Sequence, residues 1–125
     1  MNRREDNSIE SDISTRLKDF INDVVVSYIT WDIITYFYTG EDEKTRSLEE
    51  IADSIGRDKI NVLPVLYRLE KQGILRIEKR DNRIFCVFPA SSEKFELVKE
   101  FVKFAENREG RLKIIYIITK IRMAQ

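Results

Sequence analysis

The sequence predicts a mainly α-helical fold carrying one small β-hairpin, an α+β arrangement. Three observations predict it. Apolar residues recur at steps of three and four along most of the chain, as helices that bury one face require. The runs LRIEK and RIFCVF read as strands around an Asp81-Asn82 turn, because both turn residues tolerate left-handed geometry. Only four Gly and two Pro in 125 residues leave little material for long irregular loops.

The length is that of one domain able to close its core without disulfide or metal staples. Hydrophobic residues make up 42% and charged residues 35%, a globular balance with a heavily charged surface. Cys86 is alone and cannot form an intramolecular disulfide, the start MNRREDNSIE has no apolar leader, and Ile114 to Ile118 is too short to cross a bilayer. A cytoplasmic protein that does not enter membranes is expected. With no histidine and one cysteine, Cys/His metal sites and Ser/His/Asp triads are excluded, and no Gly-rich phosphate loop is present. The expectation is a binding protein with no enzyme activity, metal or cofactor.

Taking the elements in order, residues 1–12 are polar and expected to be disordered. Residues 13–26 read as an outer N-terminal helix, and Val24-Val25-Val26-Ser27 suggests a break before an aromatic core helix over about 28 to 39. Ser47 followed by Glu50 is a capping box opening a short helix, about 48 to 55. Asp58 or Asn61 caps the next helix, with Val62, Val65, Leu66 and Leu69 on one face. The hairpin follows, closed by Pro89, and Ser91 or Ser92 opens a helical region that resumes as RLKIIYIITKIR. That last segment suits strand by its β-branched residues and helix by its apolar spacing; helix is favoured because no partner strand is left. Gly40, Gly56, Gly73 and Gly110 each follow a helical segment, where a left-handed residue ends a helix.

Three helices and then a hairpin, over residues 27–90, is the order of a winged helix-turn-helix, with flanking helices at 13–26 and 91–125. Charge agrees with a basic reading end. Residues 1–56 carry net −7, residues 57–83 carry +4 and residues 84–125 carry +3, so a neutral total hides a basic third helix and wing.

The segment LPVLYRLEKQGIL also resembles the third-helix signature of PadR-like transcriptional regulators. Pro64, Leu66, Leu69, Glu70 and Gly73 match that signature, while Leu63 stands where the family usually has tyrosine. A related winged-helix family of the MarR or ArsR kind stays open. The resemblance implies a dimeric regulator that binds double-stranded DNA.

Pro64 in a helix interior would cost about 3 kcal/mol, so the regular helix is expected to begin near Asn61, with Asp58 to Ile60 in a separate turn. Ile60, Pro64, Tyr67, Arg68 and Lys71 then face outward. Lys59, Arg68 and Lys71 suit phosphates, Tyr67 suits phosphate or sugar, and Leu63 or Pro64 could meet a thymine methyl. At the wing, Lys79, Arg80 and Arg83 suit phosphate or the minor groove.

Trp31 and Tyr28, in the aromatic core helix, are candidates for holding a small aromatic effector, against the plainer reading of core packing. Asp32 is expected at the surface, and Cys86 buried and inert. Apolar surface on the outer and C-terminal helices leads to the expectation of a homodimer, with 91–125 as its dimerisation region. The alternative is a winged-helix module that docks another protein through its third-helix face and binds no DNA.

Overall fold

The computed structural model describes residues 13–38 and 43–124. Residues 1–12 and Gly40, on which expectations were placed above, lie outside the described residues. The chain opens with α1, Thr15–Phe20, capped by the Ser14 hydroxyl, which accepts from the Leu17 amide. A π-turn, Ile21–Val25, continues it and ends at Val26 with φ 50°. A left-handed β-branched residue is unfavourable, so the break expected at this point is sharper than the sequence implied. Ser27 then caps α2, Tyr28–Phe37.

β1, Lys44–Ser47, leads into α3, Leu48–Ile55. Both halves of the expected capping box are present: the Ser47 hydroxyl accepts from the Glu50 amide at 3.1 Å, and the Glu50 carboxylate accepts from the Ser47 amide at 3.0 Å. Gly56, at φ 68°, ends that helix in the left-handed region. The helix α4 spans Lys59–Lys71 and is the third helix of the motif.

β2, Arg76–Arg80, and β3, Arg83–Phe88, form the wing, with Asp81 and Asn82 both at positive φ as their chemistry suggested. The sheet has three strands in the order β1-β3-β2, all antiparallel, rather than the two of a lone hairpin. The charged KTRS run gave no alternating signal, yet it pairs with β3 in the register Ser47↔Phe85 and Lys44↔Phe88. The helices α5, Ser92–Phe104, and α6, Arg108–Met123, complete the chain, and helix is the outcome for the ambiguous last segment.

Gly110 does not end a helix. It sits in the first turn of α6, its amide capped by Asn107 at 2.7 Å, and a Cβ there would lie 1.8 Å from the Phe104 carbonyl oxygen. Close approach of the α5 end, and not a left-handed backbone, demands glycine at this position.

One core runs through all of this, from Leu17 and Phe20 on α1 through Ile33, Ile34 and Phe37 on α2 to Leu66, Leu69, Phe88, Phe101 and Ile118. Phe37 stacks on Phe88 at 5.3 Å, and Phe101 meets both Phe20, at 5.9 Å, and Trp31, at 6.0 Å. The flanking helices are thus docked on the winged body, α1 against α5 and α6 against the π-turn. Leu112, Ile115 and Met123 on α6 stay exposed. Among the described residues no helix is long and apolar enough to cross a membrane.

Candidate nucleic-acid interface

α4 begins at Lys59, two residues earlier than expected, so Asp58 to Ile60 form no separate turn and Pro64 stands in the second turn. The Asn61 and Val62 amides both reach back to the Asp58 carbonyl, at 3.0 and 3.1 Å, which starts the helix without a side-chain cap. Pro64 has no amide to give the Ile60 carbonyl. Because Ile60 and Pro64 are both exposed, that carbonyl lies on the open side of the helix, where water can satisfy it.

Val62, Leu66 and Leu69 are buried as the periodicity indicated, whereas Val65 and Leu63 are only partly covered. The outward stripe is Ile60, 85% exposed, then Pro64, Tyr67, 40% exposed, and Lys71. Two charged residues of α4 turn away from it. Arg68 donates to the Val24 carbonyl at 2.8 Å and to the Thr30 hydroxyl at 2.6 Å, and partial burial pushes its pKa down. Glu70 accepts from the Ile77 amide at 2.8 Å and ties the end of the helix to the wing. Arg68, expected on the phosphate-facing side, is therefore engaged in holding the fold together.

On the wing, Arg80 and Arg83 are directly opposed in register, and both guanidiniums lie over the Phe85 ring, at 5.3 and 5.2 Å. Glu78 pairs with Arg80 and, at 3.1 Å, with Arg76; the bonds from Arg80 and then Arg76 hold its carboxyl below the usual glutamate range. Lys79, Asp81, Asn82, Arg83 and Ile84 line an open cleft of about 480 Å³ at the tip.

Glu49, in the first turn of α3, brings helix and wing together. Its carboxylate lies 3.9 Å from the Lys59 ammonium and 3.4 Å from the Arg83 guanidinium. The start of α4 and the wing therefore border one surface. Lys71 and Lys79 have no ion pair among the described residues.

Tyr28 and Trp31 stack at 6.4 Å, and the Tyr28 hydroxyl lies 3.4 Å from that of Thr119 on α6. Trp31 also borders an open groove of about 500 Å³ with Asp32, Thr35, Tyr36, Ser54 and Ile55. Tyr28 does not line it, so the two candidate effector residues share a stack and not a cavity. Asp32 is exposed and paired with Arg57 at 3.1 Å. Cys86 is fully buried, and burial, with Glu70 nearby, pushes its thiol up to about 12.

Sequence reasoning missed Glu49, whose spacing to Arg83 is visible only through the sheet; of the two cap candidates, Asp58 stands at the cap position and Asn61 is exposed within α4.

Fold and surface together define a winged helix-turn-helix chain with flanking helices. Among solved structures it is similar to BpsR of Bordetella bronchiseptica, a structure concerned with the regulation of that protein's DNA binding by 6-hydroxynicotinic acid. The TM-score is 0.55 at 19% identity, covering 85% of this chain and 82% of that one. At that identity the likeness is one of fold. No family model and no curated protein matches the chain.

Proposed function

We propose that this chain is a sequence-specific double-stranded-DNA-binding transcriptional regulator acting as a homodimer, by binding and without chemistry. The observation that carries the reading is the Glu49 carboxylate between Lys59 and Arg83, which puts the third helix and the wing on one surface. In this account α4 enters the major groove, which is wide enough for an α-helix. Lys59, Lys71, Lys79, Arg80 and Arg83 meet phosphates, Tyr67 meets the sugar-phosphate edge, and Pro64 and the rim of Leu63 pack nearby. α5 and α6 supply the dimer contact, with Leu112 and Ile115 on its face. A small aromatic effector at the Tyr28–Trp31 stack would bias the spacing of the two reading heads. The DNA binding of BpsR, regulated by an aromatic acid, supports this reading, and the α4 signature supports a PadR-like or related MarR or ArsR kinship.

Fluorescence-anisotropy titration of a mixed-sequence duplex at several salt concentrations tests it. Affinity should fall with salt by a log-log slope of about 0.9 per phosphate neutralised, and Arg80→Ala/Arg83→Ala should lower that slope. No binding even at low salt would overturn the proposal. The exposed Ile60 and Tyr67 favour a second reading, a protein-docking face on α4, for which salt dependence would be shallow.

A further inference from the structure

We infer that Ile60 and Asn61 are the base-reading pair of this chain, Asn61 taking an adenine edge and Ile60 the methyl of a thymine. The inference rests on the DNA-binding reading above and adds what sequence the surface selects. A helix lying in the major groove brings its N-terminal residues to the base edges, and the first turn of α4 holds Lys59, Ile60 and Asn61.

The other polar side chains of α4 are accounted for. Arg68 is bonded to Val24 and Thr30, Glu70 to the Ile77 amide, and Lys59 lies beside Glu49. Tyr67 and Lys71 lie about two and three turns further along the helix, away from its N-terminal end. Asn61 is exposed, and its side-chain amide has no hydrogen-bond partner among the described residues. It carries a donor and an acceptor in one plane, the pattern that matches the N6 and N7 positions of adenine. An aspartate precedes the helix at position 58, but a carboxylate only accepts and cannot satisfy both.

Ile60 is the most exposed large apolar side chain of the described residues, at 85%, and it heads the outward stripe. At the head of a helix lying in the major groove, an outward β-branched hydrocarbon is placed to meet a thymine methyl, the apolar group that groove offers. Lys59 stands in the same turn and shares the Glu49 carboxylate with Arg83 of the wing, so both cations border the surface a duplex would meet.

The test is selection of binding duplexes from a random library by the full chain, native and Asn61→Ala, followed by titration of the selected duplex with 7-deazaadenine at each adenine in turn. One adenine should be required by the native chain, and its 7-deaza form should bind roughly five- to 150-fold more weakly. Asn61→Ala should be indifferent to that substitution. Ile60→Ala should relax a neighbouring thymine, which uracil in its place would reproduce. A native motif unchanged in Asn61→Ala would overturn the inference and leave DNA reading intact. Failure of every form to bind DNA would overturn both.

Discussion

Arg68 donates to the main-chain carbonyl of Val24 at 2.8 Å, bridging α4 to the turn where α1 gives way to α2. The π-turn ends there in a left-handed Val26, so the carbonyls around it lack regular helical donors. Arg68 supplies one, and its second bond, to Thr30, reaches a fully buried hydroxyl. Hydrogen bonds to a charged group contribute about 1.5–3 kcal/mol, and Arg68→Ala should destabilise the chain by an amount of that order in urea unfolding. The salt slope of DNA binding should stay unchanged, because this guanidinium faces the protein. A slope lower by about 0.9 would place Arg68 on a phosphate instead.

In the proposed DNA complex, Glu49 would compete with phosphate for Lys59 and Arg83. Exposed ion pairs contribute at most about 1 kcal/mol each, so the carboxylate is displaced readily, but it must be displaced before phosphate can take its place. Glu49→Gln should therefore tighten mixed-sequence DNA binding by roughly two- to tenfold at low salt, with the gain shrinking as salt rises. Anisotropy titration reads this directly. Weaker binding would mean that Glu49 orients the two cations and does not mask them.

How much of this was legible in the sequence depended on the range of the interaction. The capping box at Ser47 and Glu50, the left-handed Gly56 and Gly73, and the Asp81-Asn82 turn are local, and each was read correctly. β1 was missed because KTRS carries no apolar alternation and is a strand only by virtue of β3. α4 starts two residues earlier than Pro64 implies, because on its open face the helix tolerates the loss of one backbone hydrogen bond. Arg68 was assigned to the outward face by helical spacing alone, yet a long side chain at the margin of that face can turn inward to an orphaned carbonyl.

Gly110 and Gly56 should respond to alanine for different reasons. At Gly110 the new Cβ would lie 1.8 Å from the Phe104 carbonyl oxygen, and backbone must move to admit it. At Gly56 nothing lies within 4 Å, and the cost is the left-handed φ alone. Gly56→Ala should cost about 1–2 kcal/mol and leave the α5–α6 contact untouched. Gly110→Ala should cost at least as much, of the order of 1–3 kcal/mol or more, and loosen α6 from the body. Hydrogen exchange would separate the two, with protection lost in α6 only for Gly110→Ala.

Glu50 links the capping box to acid stability. Its carboxyl is held below the ordinary glutamate value of about 4.3, chiefly by the bond from the Ser47 amide and then by that from the Ser47 hydroxyl, with Arg46 and Arg83 adding smaller attraction. A folded-state value below the unfolded one means that the unfolded chain binds the proton more tightly. The contribution is therefore fully present above about pH 4.3 and is lost as pH falls through the lowered folded value. Glu50→Gln keeps an oxygen to accept from Ser47 but cannot titrate, so its unfolding free energy should fall less between pH 6 and pH 3 than that of the native chain. Glu78, also held low, titrates alike in both proteins and cancels from the difference. Ser47→Ala should cost about 1 kcal/mol at neutral pH and should bring the Glu50 carboxyl back toward its ordinary value. Urea unfolding at several pH values measures both effects, and an equal acid loss in native and Glu50→Gln chains would show that the capping carboxylate does not contribute to the pH dependence.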